Sequence, residues 1–431
     1  MWAKLKQDLG SGKALLQFGL LSALGQGFGV VTPFVLADLL GSDRLGTYYL
    51  IRSALFLFVA FLLTWMQIPF VVFASQERRQ TGRINTSFSL QCVFRMASVM
   101  AVSAAILVGR TTVAQFARIP PDGVIFILLA FAGLTLKSTV GDLLLAMDQR
   151  LKNALAEFVF GLACLVGVVA LYLGNRLTEQ TVFLVYPVSG LVVTVVFGGT
   201  LDYRLLRPFV LDKRQILEMI AFSKWLFIGT VGAYFIGWQD TFVLKYFTST
   251  QIISKADIGV YNLGCEVFRG LIMLTFVMYT YFLPFVSEHI VEPHRIQHYL
   301  SHKRPRVILL GLLVLAVCFV AAPHGFVLLK GPMYAASASI LRILLVGAAL
   351  AMYNVFYEPI LHAIKRPYVN PTVTVVQALL HLGLDLILVP KMGIQGAAVA
   401  LCAGYAARVL IYEVYFRTRV RPLLGLGGSQ P

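Results

Sequence analysis

Apolar stretches poor in charge, each about the length of one helical membrane crossing (roughly 20 residues), follow one another along most of the chain. Their apolar residues run continuously and do not alternate with polar ones, which argues against membrane β-barrel strands. Hydrophobic residues make up 58% of the 431 residues and charged residues 13%. An ordinary soluble domain carries roughly 25% charged residues, so this chain lacks the polar surface of a water-soluble enzyme or a disordered scaffold. The fold class expected is an all-α polytopic membrane protein.

Twelve spans are expected, at about 14–37, 47–73, 88–109, 123–146, 154–174, 181–201, 222–247, 259–286, 307–329, 338–360, 370–389 and 396–416. An even number puts both termini on one side. The termini and the loops after even-numbered spans, with Lys224 at the loop edge of span 7 counted among them, hold 22 Lys and Arg, against 7 in the opposite loops and 7 deeper within spans. That bias places both termini in the cytoplasm. The net charge of +16 fits the same bias and contact with anionic lipid better than nucleic acid. No loop is long enough for a folded soluble domain. The five cysteines lie in apolar stretches with no CxxC spacing and read as buried thiols, with no metal site or disulfide expected. Gly10–Ala14 faintly resembles a phosphate loop, but Gln7 and Ala14 break the pattern. It reads as a flexible start to span 1, which has no cleavable signal pattern.

The halves echo each other. Span 2 opens around Gly46-Thr47-Tyr48 and closes at Pro69-Phe70-Val71; span 8 opens Gly259-Val260-Tyr261 and closes at Pro284-Phe285-Val286. Both stand second in a group of six with the same orientation, which suggests two six-helix lobes, 1–212 and 213–431, of the parallel-repeat kind used by transporters. The Gly-x-Tyr opening of span 8, Arg269, Pro284-Phe285 and the Gly393-Ile394-Gln395-Gly396-Ala397-Ala398 segment before span 12 resemble the polysaccharide flippases of the multidrug/oligosaccharidyl-lipid/polysaccharide exporter superfamily, the Wzx-like carriers. The resemblance implies two lobes around a central cavity, alternating access, and a polyprenyl-diphosphate-linked oligosaccharide as cargo: an O-antigen, common-antigen or exopolysaccharide repeat unit. It also implies the bacterial cytoplasmic (inner) membrane, with a polymerase and chain-length proteins of the same pathway as further partners.

Seven basic residues fall within spans: Arg52, Arg95, Lys137, Lys245, Arg269, Arg342 and Arg408. Each costs about 2.5–3.5 kcal/mol at mid-bilayer if it faces lipid, so these residues must face protein or water, pair with acids, or snorkel. Lys245, Arg342 and Arg408 lie near span ends and read as structural, Arg408 with Glu413 as a partner. Arg52 and Arg269 lie deeper, in the repeated span of each half. A guanidinium stays charged when desolvated and offers paired donors to phosphate, so both are diphosphate-binding candidates. Arg269 has a competing local reading, a pair with Glu266 three residues earlier. Lys137 is a second choice, as is Arg95, for which headgroup depth is the other reading. Trp238 and Asp240 beside Gln239, and Tyr353 and Asn354, are candidate sugar contacts, although aromatic residues also gather at membrane interfaces for lipid reasons.

A carrier coupled to a proton or sodium gradient needs an intramembrane carboxyl. The candidates are Asp385, with His381 one turn before it, and Glu266, Asp142 and Glu358; the His381/Asp385 pair reads equally as an inter-helix contact. No cofactor and no catalytic residue is expected. Two alternatives to the flippase remain: a cation-coupled multidrug antiporter of the same fold, disfavoured by the basic balance of charges within spans, and a membrane glycosyltransferase or polymerase, disfavoured by the short outer loops.

Overall fold

Hydrocarbon offers no water to backbone amides, so a spanning segment must bond its own N–H and C=O groups. The described residues obey this with helices and turns and no strand. The computed structural model describes the backbone of residues 2–290, 292–364, 366 and 368–424. In chain order the helices are α1 (Trp2–Leu62), α2 (Gln67–Thr81), α3 (Asn85–Val108), α4 (Arg110–Ala117), α5 (Ile125–Ala146), α6 (Arg150–Leu173), α7 (Val185–Gly198) and α8 (Lys213–Thr248). They continue with α9 (Lys255–His289), α10 (Pro293–His298), α11 (Arg304–Lys330), α12 (Ala335–Asn354), α13 (Glu358–Ala363), α14 (Val369–Met392), α15 (Ile394–Tyr415) and α16 (Arg421–Leu423).

Ten helical stretches among the described residues are long and apolar enough to cross a membrane. Two features account for the difference from twelve. Span 8 lies on α9, parts of which have no described side chains, those of Pro284 and Phe285 included. Spans 1 and 2 fall in one 55-residue stretch, Gly27–Thr81. At about 1.5 Å per residue that stretch is on the order of 80 Å long, against a hydrocarbon core of about 30 Å. A kink divides it at Gly41, with φ 75° and ψ 168°, a conformation that only glycine adopts without strain. The expected loop between these spans is therefore a hinge inside α1. That helix begins at Trp2, so Gly10–Ala14 is helical where a flexible start was expected.

Two prolines explain further departures. The expected span 338–360 breaks after Asn354 and resumes at Glu358. Pro359 has no N–H for the Val355 carbonyl and disfavours helix in the residue before it, so it sits in the first turn of a new helix. Pro323 inside α11 likewise leaves the Phe319 carbonyl without its intrahelical donor. Arg342 of α12 fills that place: its Nε donates to Phe319 O at 3.1 Å, and its guanidinium lies 4.8 Å from the Phe319 ring centre. All five cysteines are free; Cys164, Cys265 and Cys402 are buried, whereas Cys92 and Cys318 are half-buried.

The chain divides into two compact units, Met1–Thr230 and Val231–Pro431. The division falls inside α8, beyond the boundary of 212/213 drawn from the sequence. Unit 1 has a core of Phe70, Ala74, Leu90, Leu143, Leu144 and Phe197. Unit 2 has an aromatic core that includes Phe356, Tyr357, Ile360, Val373, Tyr412 and Phe416. Many large apolar side chains point outward, among them Leu107, Val108, Val195 and Leu328, at 74–88% exposure. Hydrocarbon, not water, suits such a surface.

Within unit 1, α5 and α7 cross at backbone distance. A Cβ added at Gly190 would lie 2.3 Å from the Gly133 carbonyl oxygen, and one at Gly133 2.4 Å from the Pro187 Cα. Small residues at a crossing let two helices approach this closely in a membrane. Gly133→Leu is expected to force the helices apart and cost about 1–3 kcal/mol or more, read as a lowered thermal midpoint in detergent. Gly325→Ala, where an added Cβ meets nothing within 4 Å, is expected to leave the midpoint unchanged.

Candidate functional site

Asp240 of α8, Tyr261 of α9, and His381 and Asp385 of α14 converge in the interior of unit 2. Asp240, His381 and Asp385 are each no more than 3% exposed. Four-residue spacing puts His381 and Asp385 on one face of α14. His381 Nε2 lies 2.6 Å from Asp240 Oδ1 and 3.4 Å from Asp385 Oδ2, and the Tyr261 hydroxyl donates to Asp240 Oδ2. One ligand atom from each of Asp240, His381 and Asp385 lies within 4.8 Å of the others. Two carboxylates and one imidazole in a buried site leave negative charge uncompensated unless a proton or a cation joins them. The donor set, oxygen with one nitrogen, can accept either. Sequence spacing pairs His381 with Asp385; only the structure adds Asp240, which the sequence places beside Trp238 as a sugar contact, and Tyr261. No metal site is legible in the sequence, because Asp240 comes from α8 and the other two donors from α14, the nearer 141 residues further along the chain.

Arg269 of α9 lies beside this cluster. It donates to Glu266 Oε1 at 2.6 Å, to Gly237 O at 3.0 Å and to Asn262 Oδ1 at 3.1 Å, with its guanidinium 4.2 Å from the Trp238 ring centre. The local pair with Glu266 is therefore formed. Its side chain remains 21% exposed. In unit 1, the Arg52 guanidinium lies 5.6–6.0 Å from the ring centres of Tyr48, Tyr49 and Phe56. Both candidate arginines thus lie over aromatic rings, which attract a cation through their quadrupole.

Further charged candidates also have partners. Lys137 Nζ lies 2.5 Å from Glu157 Oε1. Arg95 is buried and donates to Asp142 Oδ2 at 2.6 Å, where Gln91 also donates at 2.9 Å. In unit 2, Arg408 does not meet Glu413. It donates to Glu358 and Asn370, each at 2.7 Å, and to Gln377 at 3.1 Å. A five-residue step along α15 is off the helical face that three- and four-residue steps share. Glu413 pairs with Arg417 at i,i+4, 2.6 Å away, and accepts from Tyr357 and Tyr353. Tyr353 lies under Arg304, 3.8 Å from the guanidinium carbon to the ring centre. Asn354, 2% exposed, ends α12 with a side-chain amide that makes no hydrogen bond.

The residues that sequence reasoning passed over are polar and uncharged: Tyr261, Asn262, Asn370, Gln377 and Gln91. Tyr261 stands in the repeated Gly-x-Tyr motif, but nothing in its spacing tells that its hydroxyl meets Asp240 from another helix.

The order of these helices matches the folds of two solved membrane proteins. A lipid II flippase, MurJ, in its inward closed conformation matches with a TM-score of 0.76 at 12% identity, over 94% of this chain and 88% of that one. A mutant of the MATE transporter VcmN of Vibrio cholerae matches with a TM-score of 0.70 at 12% identity, over 95% and 98%. In sequence, the chain is similar to the probable low-salt glycan biosynthesis flippase Agl15 of Haloferax volcanii, 23% identical over 235 residues, which is 54% of this chain and 48% of that protein. The chain spans about half the length of the curated relatives it matches. No family model matches.

Removing one partner of a buried ion pair leaves the other charge unpaired and costs about 3–5 kcal/mol. Asp142→Ala is therefore expected to lower the thermal midpoint in detergent sharply, since the Arg95 side chain is only 6% exposed. The double variant Arg95→Met/Asp142→Leu is expected to recover most of the loss.

Proposed function

We propose that this chain is a flippase that carries a polyprenyl-diphosphate-linked oligosaccharide repeat unit across the bacterial cytoplasmic membrane by alternating access, with both termini in the cytoplasm. The observation that carries the reading is the fold shared with a lipid II flippase over 94% of the chain. The similarity to a protein named as a glycan biosynthesis flippase supports it. The task needs no covalent step. Its barrier is the desolvation of phosphate and sugar hydroxyls, which protein donors lower by replacing water. Arg52 and Arg269 are the donors assigned to the diphosphate. Trp238, Asn354 and Tyr353 are the candidate sugar contacts, and Lys137 is a reserve cation held by Glu157.

The Asp240–His381–Asp385 cluster is assigned to ion coupling. A site of two acids and one imidazole, whose excess negative charge falls when a proton or sodium ion binds, gives the transport cycle a handle on the gradient. Across 100 mV each charge moved supplies about 2.3 kcal/mol. Glu266 is tied to Arg269, Asp142 to Arg95 and Glu358 to Arg408, which leaves them less suited to the role.

The fold match to VcmN favours a second reading, a cation-coupled multidrug antiporter. Deletion of the gene separates the two. The flippase reading expects untranslocated lipid-linked glycan to accumulate, with rescue by the intact gene; the antiporter reading expects drug sensitivity and normal glycan export. Arg269→Ala is expected to reduce glycan export at least tenfold and Arg269→Lys to restore part of it. Asp385→Asn is expected to abolish the response of export to an imposed gradient. Full export by Arg269→Ala would sink that residue's assignment.

A further inference from the structure

Three of the chain's seven histidines recur at four-residue intervals in one short segment, His294, His298 and His302. All three are exposed, whereas Ile296 and Tyr299 between them are fully buried. The histidines therefore share the outward face of the segment. His298 ends α10, and His302 lies in a π-helical turn, Tyr299–Lys303. The wider π turn rotates the chain less per residue than an α-helix does, so four residues bring His302 back nearly above His298. Their imidazoles stack with ring centres 4.6 Å apart and planes 21° from parallel.

Ser301 fixes the chemistry of the second ring. Its hydroxyl donates to the Gln297 carbonyl at 2.8 Å. With its one hydrogen spent, Oγ can only accept from His302 Nδ1, 2.7 Å away. A neutral His302 with its hydrogen on Nδ1 fits this arrangement and leaves the Nε2 lone pair open. A ring nitrogen bonded in this way sets which of the two nitrogens is free to ligate a metal.

We propose that His298 and His302 form a binding site for a late first-row divalent cation, Zn2+ or Cu2+, with His294 one turn earlier as a further imidazole on the same face. Two histidines one turn apart on a helical face form a chelating pair. Neutral imidazole selects zinc, copper and nickel over magnesium and calcium, which take oxygen. Glu292 is engaged by Arg295 at 2.7 Å and lies 3.9 Å from His294 Nε2, so His298 and His302 themselves offer only nitrogen donors. This site is separate from the buried Asp240–His381–Asp385 cluster.

The test is a calorimetric titration of the full-length protein, purified in detergent without a histidine tag, with Zn2+. One bound equivalent is expected, with no binding of Mg2+ and tighter binding of Cu2+. His298→Ala and His302→Ala are each expected to weaken binding at least tenfold. Ser301→Ala is expected to weaken it about tenfold, as loss of an orienting partner does. The substituted side chains are exposed, so the variants are expected to elute as the wild type does in gel filtration. No stoichiometric binding, or unchanged affinity in both histidine variants, overturns the proposal. So does binding that persists in His298→Ala and is lost in His381→Ala, which puts the ion in the buried cluster. Unchanged affinity in Ser301→Ala overturns the assignment of the His302 tautomer.

Discussion

Water's absence from the bilayer interior governs this structure. A polar atom that loses water on entering hydrocarbon must find its replacement within the protein, or it costs several kcal/mol. The backbone meets this demand by forming helices. Where proline interrupts the pattern, another group steps in, as Arg342 does for the carbonyl that Pro323 leaves unbonded. An arginine near the end of a span thus serves a neighbouring helix.

The same demand sorts the charged side chains. Arg95, Lys137 and Arg408 each meet a carboxylate within 2.7 Å. Such pairs are weak evidence for stability, because desolvation offsets much of their attraction. Arg269 likewise meets Glu266 at 2.6 Å, and Arg52 and Arg269 lie over aromatic rings, as Lys137 and Arg408 also do. Asp240, His381 and Asp385 differ in kind: acids outnumber bases in a site with almost no exposure. A cluster of that composition changes its net charge when an ion binds, whereas a one-to-one pair is already neutral. That difference is the reason for assigning coupling to this cluster and structural roles to the pairs.

Much of the architecture was legible in the sequence, because hydropathy reports the surrounding solvent and every spanning helix meets the same solvent. The apolar runs located the helices to within a few residues at α3, α5, α6, α14 and α15. Errors arose where backbone geometry, not polarity, decides: at Gly41, where a hinge inside one helix reads as a loop, and at Pro359, where a continuous apolar run hides a break. The partners of charges were less legible. Glu266 with Arg269, and His381 with Asp385, are helical neighbours that spacing reveals. Arg95 with Asp142, and Arg408 with Glu358, are separated by 47 and 50 residues, and no periodicity connects them.

The sequence by itself determined that this chain is a helical membrane protein and which residues carry charge into its apolar spans. Composition and local periodicity suffice for that, since a helix satisfies its backbone from its own residues. Only the tertiary structure decided what each charge does. A side chain's role depends on the donors and acceptors around it, and α8, α9 and α14 bring those of Asp240, Tyr261 and His381 together from distant parts of the chain.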